Sequence, residues 1–433
     1  MSNLAIGFAG FAAIVGLIGL RFHVGLALII VAFTGLMLIT NIDIALSMLR
    51  VLPYDFVTDW DLSAVPMFLL MGAIAHRSGM TASLFDVARL WFSRMPGGLA
   101  VATNFACAGF SSASGSSLAT TMAIGRITIP EMRKYHYDPG LAAGIVACGG
   151  TLGVLIPPSI ILVLYGIFAE VSIAKLFMAG VLPGLLTAGV YFGQIVLRCW
   201  LNPSLAPPVP DHPSWSERLR ALRTIWPLPL LILAVIGGIY TGIATPTEAG
   251  ALGAFLALLI ALAQRRMTVR IFRQAARESI MATASIFFVA IGALLLTRFM
   301  AFSGVPMFLA GLVADYSVDT TTMILITLAI YLVLGMFLDP LGMMLLTLPV
   351  MLPMFQAAGM DLIWFGILMV KFIEIGLITP PVGLNVYAVK LLAPDYKLQE
   401  IFRGALWFLL AEILIIGLLI TFPQITLFLP SIM

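Results

Sequence analysis

Gly109-Phe110-Ser111-Ser112-Ala113-Ser114-Gly115-Ser116-Ser117, followed downstream by Gly149-Gly150-Thr151-Leu152-Gly153-Val154-Leu155-Ile156-Pro157-Pro158-Ser159, is the pair of stretches whose reading decides the fold. A second copy comes later: Gly335-Met336-Phe337-Leu338-Asp339-Pro340-Leu341-Gly342 precedes Glu374-Ile375-Gly376-Leu377-Ile378-Thr379-Pro380-Pro381-Val382-Gly383. Pro130 and Pro157 are as far apart as Pro353 and Pro380, and the halves are offset by 223 (Pro157 to Pro380). In an apolar chain the backbone can leave the helix only where it lines a cavity. Paired Gly/Pro/Ser breaks at corresponding positions of two halves therefore point to a carrier's binding site.

Composition supports a membrane setting. Of 433 residues 61% are hydrophobic and 10% charged, with a mean hydropathy of +1.09, whereas a soluble domain is charged at roughly a quarter of its positions. The net charge of +3 is small and its basic residues sit in loops, which excludes nucleic acid as a partner. Cys107, Cys148 and Cys199 lack metal-ligand spacing and read as small core residues. The N-terminus has no basic n-region and reads as a retained helix.

A crossing helix needs about 20 apolar residues. Residues 4–20 and 24–40 form a tight hairpin around Arg21 and His23, and 41–61, with Asp43, Asp55, Asp59 and Asp61, reads as an acidic loop. A span to residue 75 and an amphipathic segment, 81–94, lead into 97–129, which is too long for one crossing and reads as two half-helices meeting near Ser112–Ser117. Residues 141–169 are a broken span and 176–197 a whole one; the proline-rich 198–223, which includes Pro210 and His212, is the hydrophilic linker. After the pair 225–264 and a basic segment, the order repeats. Residues 279–302 cross, 305–316 lie at the interface, 320–355 form a hairpin, 362–392 are a broken span, and 402–422 close the chain. Ser78-Gly79 and Ser303-Gly304 hold the same register. The organisation is thus 1–60 as scaffold helices and an outer loop, 61–200 as the first repeat, 201–278 as linker, helix pair and basic segment, and 279–433 as the second repeat.

Arg218, Arg220 and Arg223 before the helix pair, and Arg265, Arg266, Arg270, Arg273 and Arg277 after it, put both flanks in the cytoplasm. The N-terminus is then outside, the first hairpin opens to the cytoplasm and the second to the outside. The expected fold class is an all-α polytopic membrane protein with inverted repeats, two re-entrant helical hairpins and two broken transmembrane helices.

Half-helix ends expose N–H groups that favour anions and carbonyls that favour cations. At the 223 offset, Ser112 pairs with Gly335, Gly153 with Gly376, Ile156 with Thr379 and Ser159 with Val382. Each half thereby supplies carbonyl and hydroxyl oxygens suited to a hard cation, which reads as two sodium sites; the alternative is that the small residues serve close helix packing. Charges at membrane depth are functional hypotheses. Asp339, at the second tip, is either a substrate or coupling residue or the cap of the next half-helix. Arg298 either clamps a carboxylate or snorkels from a helix end. Glu374 pairs with Lys371 one turn away or has a functional role, and Glu248 starts another span.

At these residues the chain resembles the large membrane subunit of the tripartite ATP-independent periplasmic (TRAP) transporters, often called DctM-like. The likeness rests on Gly-Gly-Leu-Ala at 97–100, Ser-Gly-Ser at 114–116, Ile-Pro-Pro-Ser at 156–159, Gly-Met-Phe-Leu-Asp at 335–339 and Thr-Pro-Pro-Val-Gly-Leu-Asn at 379–385. The resemblance implies a sodium-driven elevator carrier importing an organic acid, a C4-dicarboxylate or related carboxylate or sulfonate, across the bacterial inner membrane. In it, a scaffold holds still while the hairpin-bearing transport domain slides. It further implies two separate partners, a small four-helix DctQ-like membrane subunit and a periplasmic substrate-binding protein. By the resemblance, sodium (Na+) is held at Ser112, Gly153, Ile156, Gly335, Gly376 and Thr379, and substrate at Ser114, Ser116, Ser159, Arg298 and Asp339.

Other classes fit less well. An intramembrane serine protease built on Ser114 or Ser116 needs a base within reach, and His23, His76, His136 and His212 lie at span ends or in loops. A channel does not need paired hairpins. The nearest rival is a stand-alone sodium/dicarboxylate symporter with no binding protein.

Overall fold

Among the residues described by the structure, a computed structural model covering 2–209, 213–316 and 318–433, every regular element is a helix. Pro210 and His212 of the expected linker lie outside the described residues. Ile173–Leu201, Pro246–Ala263, Val269–Ser303, Pro340–Ala357 and Leu398–Thr421 are each long and apolar enough to cross a membrane, and bent pairs bring the possible spans to 8. Cys107, Cys148 and Cys199 are buried and unpaired.

The two serine- and proline-rich regions form helix–break–helix units. Gly98–Ser114 and Ser117–Lys134 meet at Gly115-Ser116, and Thr320–Gly335 and Pro340–Ala357 meet across 336–339. The broken spans are Pro139–Gly149 with Leu152–Leu155 and Ile160–Phe168, and Leu362–Gly376 with Leu384–Leu392. The N-caps Ser116 and Asp339 are 223 positions apart, as are the cis bonds Pro157-Pro158 and Pro380-Pro381. Ser78-Gly79 and Ser303-Gly304 each follow or close a helix with a left-handed glycine (φ 74° and 75°). Each leads into a short helix, Ala82–Phe92 or Val305–Asp315.

The halves are interleaved. Leu384–Leu392 packs on Ser117–Lys134 and Pro139–Gly149, while Ile160–Phe168 packs on Pro340–Ala357 and Leu362–Gly376. Buried side chains pin these crossings: Asn385 Nδ2 donates to the Ala147 carbonyl at 3.2 Å, and the Tyr165 hydroxyl donates to the Leu362 carbonyl at 2.6 Å.

Several segments depart from the sequence reading. The acidic stretch 41–61 is not a loop: Ile42–Thr58 is a helix capped by Asn41 and bent by 63° from Asp61–Arg77. Ala45 and Phe56 are buried and Met48, Leu49 and Leu52 pack on the core, an apolar stripe that outweighs the scattered aspartates. The linker 198–223 contains the helix Trp215–Ile225, started by a Ser214/Glu217 capping box. The basic segment and the span after it are one helix, Val269–Ser303, because nothing between Val269 and Ile280 breaks a helix. Gln424–Ser431 adds a final short helix beyond the last expected span.

Candidate functional site

The first tip and the first break touch. Gly115 ends the incoming half-helix with φ 59°, and a Cβ there would stand 2.8 Å from the Pro158 carbonyl oxygen, so only glycine fits the turn and the approach. Ser116 then caps the outgoing half-helix, its side chain accepting from the Ala119 N–H at 3.4 Å. Thr120 Oγ1 donates to the Ser116 carbonyl at 2.8 Å and lies 2.9 Å from Ser114 Oγ. Gly153 packs directly on this oxygen cluster, a Cβ there falling 2.7 Å from Ser116 O and 2.9 Å from Thr120 Oγ1. Pro157 and Pro158 carry no N–H, so the carbonyls one turn back, Gly153 and Val154, lose their helical donors. Ile156 is extended (φ −80°, ψ 118°). Ser159 is fully buried and caps Ile160–Phe168 by accepting from Leu162 N–H. Ser112 turns back on its own helix, donating to Gly109 O at 2.8 Å.

In the second half the contact is backbone on backbone. A Cβ on Gly335 would lie 2.5 Å from Gly376 Cα. Thr379, half-buried just beyond, donates to the Ile375 carbonyl at 2.7 Å. Asp339 is the N-cap of Pro340–Ala357, its carboxylate accepting from Gly342 N–H at 3.3 Å. Asp339 is also exposed and lines a cavity of about 440 Å³ together with Arg21, His23, Ser285 and Leu384. The second tip thus faces the turn between the helices Asn3–Gly19 and Val24–Ile39.

Arg298 lies apart from this arrangement. It is exposed near the end of Val269–Ser303 and makes no hydrogen bond or ion pair among the described residues. That placement matches a snorkelling side chain, so Arg298→Lys is expected to transport substrate at the wild-type rate. Uptake that collapses in the Lys variant would return Arg298 to the site. Glu248 belongs to a Thr245/Glu248 capping box.

Glu374 does not pair with Lys371. Ser117 Oγ donates to Glu374 Oε1 at 2.5 Å, joining the first hairpin to the second broken helix, and Glu374 Oε2 has no hydrogen-bond partner among the described residues. Lys371 Nζ meets Glu412 Oε2 at 2.5 Å, and the Tyr191 hydroxyl donates to Glu412 Oε1. Both ends of the pair are buried, at 0% and 2% exposure, so the pair sits out of solvent's reach. Glu412 was legible as the single acidic residue within the apolar body of Leu398–Thr421, past the Glu400 of its first turn. Thr120, Tyr191 and Ser117 carry no such signal.

Residues 11–425 match the model of the tripartite ATP-independent periplasmic transporter, DctM component.

The chain belongs to the DctM family.

It is 35% identical over 373 residues to the C4-dicarboxylate TRAP transporter large permease protein DctM of Pseudomonas aeruginosa, covering 86% of each chain. It is 30% identical over 423 residues to the sialic acid TRAP transporter large permease protein SiaM of Vibrio cholerae, covering 97% of this chain and 98% of that one. Its fold is similar to the crystal structure of the Alcanivorax borkumensis YdaH transporter, with a TM-score of 0.63 at 15% identity over 88% of this chain and 90% of that one. The chain is a multi-pass membrane permease subunit of the TRAP type and not an enzyme. Family membership disfavours the stand-alone symporter.

Proposed function

We propose that this DctM-family subunit imports an organic acid by a sodium-driven elevator movement. A periplasmic binding protein delivers the substrate, and a small membrane subunit of four helices braces the assembly in the inner membrane. The observation that carries the reading is the meeting of tip and break in each half, Ser116 and Thr120 on Gly153, and Gly335 on Gly376. Carbonyl and hydroxyl oxygens gather there, with the Glu374 carboxylate on Ser117 the nearest acid, an oxygen set that suits a hard cation. Sodium is assigned to Ser112, Gly153 and Ile156 in the first half and to Gly335, Gly376 and Thr379 in the second. The anion lies between the tips, against Ser114, Ser116 and Ser159, with Asp339 at the rim of the cavity that Arg21 and His23 share.

Substrate negative charge is balanced by the bound ions and by half-helix N-termini at Ser117 and Ile160. A carboxylate is favoured because the relatives named for C4-dicarboxylate and for sialic acid both act on carboxylates. Under the Lys/Arg bias the two repeats are inverted and the N-terminus is periplasmic.

The test is uptake of labelled organic acids by the reconstituted assembly over a sodium series. Thr379→Val keeps the shape and removes the oxygen, so it should shift half-maximal sodium upward by about tenfold, the loss of one ligand contact. An unchanged sodium response removes Thr379 from the second site; sodium-independent uptake by the wild type removes the coupling altogether.

A further inference from the structure

Ile173–Leu201 and Leu398–Thr421 run side by side, and between them lies a groove of about 970 Å³ that the site described above does not use. One end is charged, lined by Asp138, Arg198, Asn202, Glu400 and Arg403. The other is apolar, lined by Val190, Leu410 and Leu414. We propose that this groove binds a zwitterionic, amine-bearing glycerophospholipid of one leaflet, its phosphate bridging Arg198 and Arg403.

Arg198 Nη1 is buried without a hydrogen-bond partner among the described residues, while its guanidinium lies over the Trp407 ring, 4.5 Å from the centroid. Arg403 is exposed and makes no ion pair among the described residues. Two guanidiniums that make no direct ion pair among the described residues, at the mouth of an apolar groove, suit a phosphate. The carboxylates beside them are already engaged on one side. Asp138 Oδ1 accepts from Leu141 N–H at 2.8 Å and Glu400 Oε2 from Lys397 N–H at 3.0 Å.

The charge count selects the headgroup. Arg198 and Arg403 offset Asp138 and Glu400, so an anionic headgroup would add net negative charge next to two carboxylates. A primary ammonium beyond the phosphate instead donates to their free oxygens, which a quaternary choline cannot do.

The length of the groove selects a lipid over a protein helix. From Arg198 back to Val190, or from Arg403 on to Leu414, the groove follows its helices for only about 12–17 Å, half of the roughly 30 Å hydrocarbon core. A spanning helix needs the whole depth; an acyl chain of one leaflet does not. Trp407 at the charged end sits where indoles gather at the membrane–water boundary.

Native mass spectrometry of the full-length protein, purified in mild detergent with any membrane subunit that stays bound, tests the proposal. Phosphatidylethanolamine, phosphatidylglycerol and phosphatidylcholine are offered separately at equal concentration. Phosphatidylethanolamine should be retained about tenfold more than the other two, and Arg198→Gln with Arg403→Gln should lower its retention about tenfold or more. Leu414→Trp, which fills the apolar end and leaves every charge in place, should displace it as well. Equal retention of the three lipids, or unchanged phosphatidylethanolamine binding in both variants, overturns the site. Loss of a co-purifying subunit in place of the lipid also overturns it and makes the groove a protein interface.

Discussion

Lys371→Met is expected to destabilise the protein by about 3–5 kcal/mol, because it leaves the Glu412 carboxylate buried with no cation. The lysine and Glu412 are joined at 2.5 Å with 0% and 2% of their side chains exposed. Tyr191 and Thr187 reach the pair but bring no charge, the Tyr191 hydroxyl donating to Glu412 and Lys371 Nζ lying 3.4 Å from Thr187 Oγ1. A sharp fall in thermal midpoint in detergent, with low yield from membranes, is the expected readout. Replacing both ends, Lys371→Met with Glu412→Leu, removes the uncompensated charge and should restore most of the loss, since a buried pair is often no more stable than an apolar one of similar volume. The coupling between the two changes, read as a double-mutant cycle, should exceed 2 kcal/mol. Additive effects of the two single changes would show that Lys371 and Glu412 do not depend on each other.

The second large effect is expected at the glycine contact. Gly376→Ala adds a Cβ 2.8 Å from Gly335 Cα and 3.0 Å from the Tyr331 carbonyl, both backbone groups that a rotamer change cannot move. Overpacking of this kind costs about 1–3 kcal/mol, and the cost falls on the helix pair that holds Thr379. Uptake by Gly376→Ala should therefore drop by at least about tenfold, the rate equivalent of the lower half of that range, while the protein still inserts. Gly417→Ala is the control: that glycine has nothing within 4 Å of an added Cβ, and both folding and uptake should be unchanged. Equal activity of Gly376→Ala and Gly417→Ala would mean that close approach at the second break is not needed.

How far the sequence reached follows from what kind of signal each feature leaves. Gly115-Ser116 and Pro157-Pro158 announce themselves because turn chemistry interrupts an apolar run there, and both breaks fall where those residues stand. The repeat offset was legible for the same reason. Ile42–Thr58 was not, since its aspartates lie on the outer side of a helix whose apolar stripe is visible only once the neighbours are known. The Lys371–Glu374 pair, one of the two readings of Glu374, failed on similar grounds. Helical spacing counts contacts along one helix surface, whereas on a helix buried on all sides the partners come from elsewhere, here Glu412 and Ser117. Arg298 shows the converse: a charge near the end of a span draws a role from its type alone, and its exposed position near that end leaves the clamp and the snorkelling side chain to be told apart by the lysine variant.

Val269–Ser303, at 35 residues, is about 52 Å long, well beyond the roughly 30 Å of hydrocarbon. Its surplus carries Arg270, Arg273 and Arg277, and Glu278 and Gln274 are gripped by Arg77 at 2.8 Å and 3.1 Å. Drawing even one of those guanidiniums into the bilayer centre costs about 2.5–3.5 kcal/mol, so the helix cannot be pulled through its own depth. The helix is therefore fixed in depth, and its arginine-bearing end marks one face of the membrane.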